Sequence, residues 1–178
     1  AGTNITVSQD SVDLTFTSAQ DWFGSETFSV TISDEQLSAS ETFTVTVLPI
    51  NDLPVLASVG DVIFDEDASG SIILSASDID GDNLTYSISE GIEITASILG
   101  NNVVFTPTEH YNGNESFTAI VSDGNLSDSY SFDVIVNAVN DIPVITSFPD
   151  LIFDYSTGDP YSYTIIATDV DDSDNLSY

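Results

Sequence analysis

The sequence repeats itself. Residues 16–54 align without a gap on residues 105–143 at a constant offset of 89, and 16 of the 39 pairs are identical. The identities include Phe16/Phe105, Gly24/Gly113, Phe28/Phe117, Asp34/Asp123 and Phe43/Phe132, and Asn51-Asp52-Leu53-Pro54 recurs as Asn140-Asp141-Ile142-Pro143. A second correspondence joins Ala76-Ser77-Asp78-Ile79-Asp80 to Ala167-Thr168-Asp169-Val170-Asp171 at an offset of 91. Small insertions after Asp154 and Asp171 account for the drift. The unit is thus about 90 residues, the size of one small domain, so whatever this chain folds into is small and occurs more than once. If a unit starts at the proline after each Asn-Asp-x, residues 54–142 are one complete unit. Residues 1–53 are then the back part of one before it, and 143–178 the front part of one after it. Each part by itself leaves a strand edge unpaired, a template for other chains.

Within the unit, apolar residues fall at every second position. Phe28, Val30 and Ile32 do so in 27–33, and Phe43, Val45 and Val47 in 42–48; Phe132, Val134 and Val136 do the same in 130–136. Period two is the mark of strands with one buried face. Turn formers separate the runs: Asp80-Gly81-Asp82-Asn83, Asn112-Gly113-Asn114 and Asp123-Gly124-Asn125. No stretch carries a helical apolar repeat for three turns. About seven short strands per unit predict an all-β chain of tandem Greek-key β-sandwiches of immunoglobulin-like form.

Charge supplies the next constraint. The chain has 30 Asp and Glu, no Lys or Arg, one His and no Cys, a formal charge of −30. Nucleic acid is excluded as a partner because phosphate binding needs basic side chains. A polybasic membrane anchor, a disulfide and a thiolate metal site are excluded too, and no apolar run in this segment is long enough to insert in a bilayer. Apolar residues make up 41% of the sequence, too many for a disordered acidic tail. Three acidic clusters stand at strand ends: Asn51-Asp52, Asp65-Glu66-Asp67 and Asp78-Ile79-Asp80-Gly81-Asp82. Carboxylates that converge without a basic partner repel one another unless a cation bridges them, and Ca2+ takes six to eight oxygens in flexible geometry. A solvated acidic skin with ordinary Asp-Gly turns is the alternative. An EF-hand fits less well, because its sixth position would be Asn83 instead of Gly and its twelfth Ser89 instead of Glu.

The segment Ala76-Ser77-Asp78-Ile79-Asp80-Gly81-Asp82-Asn83-Leu84-Thr85-Tyr86 resembles the cadherin-repeat stretch that carries an Asp-x-Asp calcium motif. Val136-Asn137-Ala138-Val139-Asn140-Asp141-Ile142-Pro143-Val144 resembles the cadherin exit strand and its Asn-Asp linker. With Phe105-Thr106-Pro107 and Tyr111-Asn112-Gly113, the chain is similar to the bacterial cadherin-like tandem repeats of very large secreted adhesins. That resemblance implies an elongated, calcium-stiffened array on a cell surface or in a biofilm matrix, exported by type I secretion. It implies a first junction with Asn51, Asp52, Glu66, Asp78 and Asp80 as Ca2+ ligands. It implies a second with Asn140, Asp141, Asp169 and Asp171. The linker is shorter than the cadherin Asp-x-Asn-Asp-Asn-x-Pro. Tyr155 stands where Glu66 does, with Asp154 beside it, and the upstream Asp-Arg-Glu element is matched only by Glu109 or Asp21. Fewer ions per junction and a weaker second site follow.

The leading function is a stalk or spacer whose partners are neighbouring repeats of the same chain. The alternative is a module that binds carbohydrate, such as cell-surface glycans, or like repeats on another cell; Trp22, Tyr111, Tyr130 and Tyr161 would supply its rings. An enzyme is a poor reading: His110 aligns with Asp21, so the repeat does not require it, and it is expected on a surface loop.

Overall fold

The period-two runs form strands in the computed structural model, which describes residues 4–145, 150, 158, 160, 162–171 and 176. Tyr155, Asp154 and Tyr161 lie outside the described residues. In chain order the strands are β1 (Ile5–Asp10), β2 (Asp13–Ser18), β3 (Gly24–Ser33), β4 (Ser38–Val47) and β5 (Val55–Leu56). Then come β6 (Val62–Asp65), β7 (Gly70–Ile73), β8 (Ala76–Ser77), β9 (Thr85–Ile88) and β10 (Ile94–Leu99). The rest are β11 (Asn102–Pro107), β12 (Gly113–Ser122), β13 (Ser127–Asn137), β14 (Val144–Ile145) and β15 (Ala167–Thr168). No helix occurs among the described residues. The chain is all-β, as the alternation requires.

Two units share these strands. Unit 1 takes Ala1–Ser58, Leu74–Ser87 and Ile120–Tyr130, and unit 2 takes Val59–Ile73, Ile88–Ala119 and Ser131–Tyr178. In unit 2, β10, β11 and β7 form one antiparallel sheet, with Phe105 opposite Gly70. In the other sheet β13 pairs in parallel with β6, Val134 opposite Val62 and Asn137 opposite Asp65. The two sheets meet through aromatic rings. Phe105 of β11 packs edge-on against Phe117 of β12 at 5.0 Å and Phe132 of β13 at 6.0 Å. That geometry is the favourable one for ring quadrupoles. Ile94, Val103, Phe105, Phe117, Ala119, Val134 and Val136 complete a core that is at most 3% exposed. This is the β-sandwich expected from the sequence.

Unit 1 contains the same construction once more. β1 and β2 pair antiparallel, as do β3 and β4; the bounds of β1, β2 and β3 are those of β10, β11 and β12 displaced by 89, and β4 matches β13 to within one residue. The aromatic triple recurs as Phe16 with Phe28 at 5.5 Å and with Phe43 at 5.8 Å. β5 and β8 pair antiparallel in unit 1 as β14 and β15 do in unit 2.

Repeated residues make repeated local structure. Glu26 and Glu115, each half-buried and third in its strand, accept backbone N–H groups from a preceding segment. Glu115 takes those of Ile92 at 2.9 Å and Glu93 at 2.6 Å, and Glu26 takes that of Asn4 at 2.9 Å. Gly24 and Gly113 have φ of 144° and 152°, a backbone that side chains rarely adopt. A Cβ on either would sit 2.8 Å from the ring carbon of Trp22 or the hydroxyl of Tyr111. Trp22 and Tyr111 are therefore half-buried plugs over a bare glycine. Of the rings named for sugar stacking, Tyr130 is 40% exposed.

Candidate metal sites

The first site lies in unit 1. Asn51 and Asp52 follow β4, and Asp78, Asp80 and Asp82 occupy the turn after β8. Alternate positions in a tight turn point their side chains to one side. A carboxylate oxygen of each of Asp78, Asp80 and Asp82 lies within 4.8 Å of the other two. The backbone N–H of Asp80 donates to Asp78 Oδ1 at 2.9 Å, and that of Asp52 donates to Asp80 Oδ2 at 2.7 Å. The linker is thus fastened to the Asp-x-Asp turn. Asn51 Nδ2 donates to Asp123 Oδ2 at 2.8 Å, and Asn125 Nδ2 donates to Asn51 Oδ1 at 3.1 Å. A cleft of about 330 Å³ opens beside these groups, with Asp21, Trp22, Asp52 and Asp80 on its walls.

One oxygen of this site has no partner among the described residues. Asp78 Oδ2 is buried and makes no hydrogen bond there, a condition it shares with Glu26 Oε2 outside the site. A buried carboxylate oxygen without a donor carries the full cost of its lost hydration. Desolvation, followed by the charges of Asp21, Asp80 and Asp78, raises the Asp52 carboxyl above its ordinary pKa. No Lys or Arg exists in the chain to offset this charge. The oxygen-only donor set suits a hard divalent cation: the Asp78-Asp80-Asp82 group could hold a metal ion.

The second site lies in unit 2 and repeats the wiring. The N–H of Asp141 donates to Asp171 Oδ2 at 2.7 Å, and that of Asp171 to Asp169 Oδ1 at 3.0 Å. Asn140 Nδ2 donates to the Asp141 carbonyl at 2.7 Å, as Asn51 Nδ2 does to Asp52 at 2.9 Å. A cleft of about 310 Å³ is lined by Glu66, His110, Asn112, Asp141 and Asp171.

Glu66, named with Asn51, Asp52, Asp78 and Asp80 for the first junction, has its described contacts elsewhere. Glu66 belongs to unit 2, is only 3% exposed, and accepts the N–H of Val139 at 2.6 Å through Oε1. The cause is the parallel β6–β13 pairing. Asp65 lies opposite Asn137, so the next residue meets the end of β13 just before Asn140-Asp141. Within unit 1 the structure brings Asn51-Asp52 and Asp78–Asp82 together; within unit 2 Glu66 lines one cleft with Asp141 and Asp171.

His110 is an exposed turn residue, as expected, and it also meets Asp141. It has φ 59° where Asp21 has φ 55°, and its Nδ1 is 2.9 Å from Asp141 Oδ2. Burial pulls its pKa down, but the hydrogen bond to Asp141 and the charges of Asp141, Glu109 and Asp67 prevail, so the net shift is upward. Two other participants, Asp123 and Asn125, were read from the sequence only as turn formers. The signal that marks Asp123 is its identity with Asp34 across the repeat. Each caps its turn with one Oδ1: Asp34 takes the N–H groups of Gln36 and Leu37, Asp123 those of Asn125 and Leu126.

Comparison with known proteins follows the fold. Residues 51–135 match the family described as a bacterial Ig domain. Among solved structures, the extracellular cadherin domains 1–5 of protocadherin gamma B2 match with a TM-score of 0.53 at 15% identity, over 82% of this chain and 33% of that one. Domains EC22–24 of mouse cadherin-23 match with a TM-score of 0.51 at 19% identity, over 76% of this chain and 50% of that one. The chain spans half or less of the length of both, and at such identities the likeness is one of fold. No curated protein sequence matches it. Among the described residues no helix is long and apolar enough to cross a membrane.

Proposed function

We propose that this chain, which carries a bacterial cadherin/Ig-like repeat, is a structural segment of a large extracellular adhesin or surface protein. It acts as a stalk or spacer in adhesion or biofilm formation and catalyses nothing. Ca2+ stiffens it between successive repeats, whose boundaries fall at 53/54 and 142/143, with 54–142 as the complete repeat. The observation that carries this reading is the buried, unpartnered Asp78 Oδ2 beside Asp80 and Asp82 in a chain without a basic side chain. Only a cation from solution is left to neutralise it.

Asp78, Asp80, Asp82 and Asp52 are the residues that would hold the ion at the first site, with Asn51 supplied by the linker. At the second, Asn140, Asp141, Asp169, Asp171 and Glu66 would do so. Bound Ca2+ supplies charge neutralisation and oxygen coordination. The protein's own part is positional: the Asp52–Asp80 and Asp141–Asp171 bonds lock each linker to the turn that follows it. Extracellular Ca2+ sites have Kd of roughly 10⁻⁴–10⁻³ M. At ~100 Kd one site adds about 2.7 kcal/mol to folding, a large share of a small domain's ~5–15 kcal/mol. In an extracellular domain without disulfides, calcium takes over their stabilising task.

Isothermal titration calorimetry on the chain stripped with a chelator tests this directly. Stoichiometric Ca2+ binding with a rise in melting temperature is expected. No heat above dilution and an unchanged melt would sink the proposal.

A further inference from the structure

We infer that the three-stranded sheet of β10, β11 and β7 is the surface on which two copies of this chain meet, edge to edge along β10. What singles it out is missing charge. The chain carries 30 Asp and Glu, yet residues 94–108 contain none, the longest such run in the sequence, and residues 68–77 contain none either. Those two runs hold the whole sheet, which lies in unit 2. The opposite sheet of the sandwich carries Asp65, Glu115, Asp128 and Asp133 on its strands. On the outer face of the neutral sheet Ile73, Asn102 and Leu99 lie in one row across the strands, and Ser71, Val104 and Ser97 in the next. Ile73 is 71% exposed and Leu99 86%. The matching hairpin β1–β2 is not neutral: Asp10 pairs with Asp13 beside its turn, where Leu99 pairs with Asn102 here.

The sheet also ends in a bare edge. Among the described residues β10 pairs with β11 alone. Leu99 and Asn102 flank the two-residue turn Gly100-Asn101. An antiparallel ladder that starts from such a turn sends the N–H and C=O of Leu99, Ser97 and Thr95 toward β11, and those of Ile98 and Ala96 outward. The bond from the Thr108 N–H to the Glu93 carbonyl at 2.8 Å continues the same phase. The outward carbonyl of Ile94 lies against Gly91, so Ala96 and Ile98 hold the open groups. Edge strands are ordinarily blunted by a charge, a proline or a bulge. β10 has no charge and no proline, and its register with β11 is unbroken.

The partner has to match a neutral face and a bare edge together, and the same edge of a second copy does both. Two chains of charge −30 repel wherever surfaces bearing carboxylates approach. Along β10 they come together with no carboxylate on either sheet. Two β10 strands meet antiparallel about a two-fold axis at Ser97, with Ala96 of each copy opposite Ile98 of the other and Thr95 opposite Leu99. The open groups of Ala96 and Ile98 then satisfy one another, and the two sheets run on as one. The contact uses the same patch on both copies, so it closes at a dimer. Ser97 faces its own copy as a non-hydrogen-bonded pair with Cα atoms about 4.5 Å apart, within reach of a disulfide.

The test uses the full chain in EDTA, independently of the calcium reading, and in about 0.5 M NaCl, which screens charge within a few Å. The chain has no cysteine, so Ser97→Cys places its single thiol on the axis. Under mild oxidation at about 100 µM, this variant should form a disulfide-linked dimer at least about tenfold faster than Ser71→Cys. Ser71 shares the face but stands on β7, the strand farthest from the axis. In sedimentation equilibrium over about 10–500 µM, a range suited to a small interface, the parent's average mass should rise above 19.0 kDa. Ser97→Asp sets two like charges directly opposite and should weaken that association at least about fivefold, with an unchanged far-UV spectrum. Equal rates for the two cysteine variants overturn the inference. So does a parent that stays at 19.0 kDa throughout, or an association that Ser97→Asp leaves intact.

Discussion

Asp78→Asn separates a metal site from a structural turn, because the two roles predict opposite signs. Asp78 Oδ1 accepts the N–H groups of Asp80 at 2.9 Å and Asp82 at 3.4 Å, and an asparagine oxygen keeps both. What changes is Oδ2, the buried oxygen without a donor, and the charge it shares. Asp78 and Asp80 present oxygens within 4.8 Å of each other. Across effective dielectric constants of about 80 to 20, that pair repels by roughly 1–3.5 kcal/mol. Removing the charge should stabilise the calcium-free chain, and the lower figure suits a turn open to water on one side. In a unit of about 90 residues, 1 kcal/mol moves the melting temperature by about 4–8 °C. Calorimetric melts in EDTA should therefore rise by at least a few degrees in the variant. In about 10 mM Ca2+, about 10–100 Kd, the parent should gain about 6–20 °C from roughly 1.4–2.7 kcal/mol, and the variant much less. The reasoning fails if Asp78→Asn lowers the EDTA melt while keeping the full calcium increment. That pattern belongs to a turn that needs its aspartate and binds nothing.

Three further outcomes rest on other parts of the fold. Glu115→Gln replaces one of two acceptors of the Ile92 and Glu93 N–H groups by a donor, and should cost about 1–3 kcal/mol in urea unfolding; an unchanged midpoint would show that these bonds are idle. Gly113→Ala meets both a φ of 152° and the Tyr111 hydroxyl, and should cost about 1–3 kcal/mol; Tyr111→Ala in the same background should recover part of it. Asp123 has its pKa held below the ordinary 3.8 by the Leu126 N–H first, then by the Asn51 side chain and the Asn125 N–H. Its folded value is below its unfolded one, so its contribution is complete above pH 3.8 and is lost as pH falls through the folded value. Asp123→Asn should therefore flatten the acid limb of the stability curve, measured from urea midpoints at neutral and acid pH. An equally steep acid limb in the variant would assign the acid loss to other carboxylates.

The residues that were easiest to interpret are those whose role depends on their near neighbours. Phe132, Val134 and Val136 alternate because a strand presents every second side chain to one face, and the alternation is visible without knowing what lies opposite. Asp78 and Asp80 are legible for the same reason: two residues apart in a turn, they converge wherever the turn sits. Asp123 was half legible. Its identity with Asp34 marked it, yet a capping aspartate and a site residue are spelled alike, and only the Asn51 bond assigns it to the first site.

By itself, then, the sequence determined the repeat, the strand class, the charge that nothing in the chain can balance, and the local Asp-x-Asp turns. These follow from periodicity and composition, which act over a few residues. Tertiary structure alone decided which carboxylates meet. Glu66 stands with Val139 and Asp141 because β6 runs parallel to β13, and a parallel pair sets the end of one strand beside the end of the other. An antiparallel pair would have sent it to the opposite end of the sheet. His110 reached Asp141 in the same way, through a positive-φ turn shared with Asp21 that no run of neighbours announces. Strand direction is settled by long-range hydrogen bonding between segments some seventy residues apart, and the local pattern is the same for either direction.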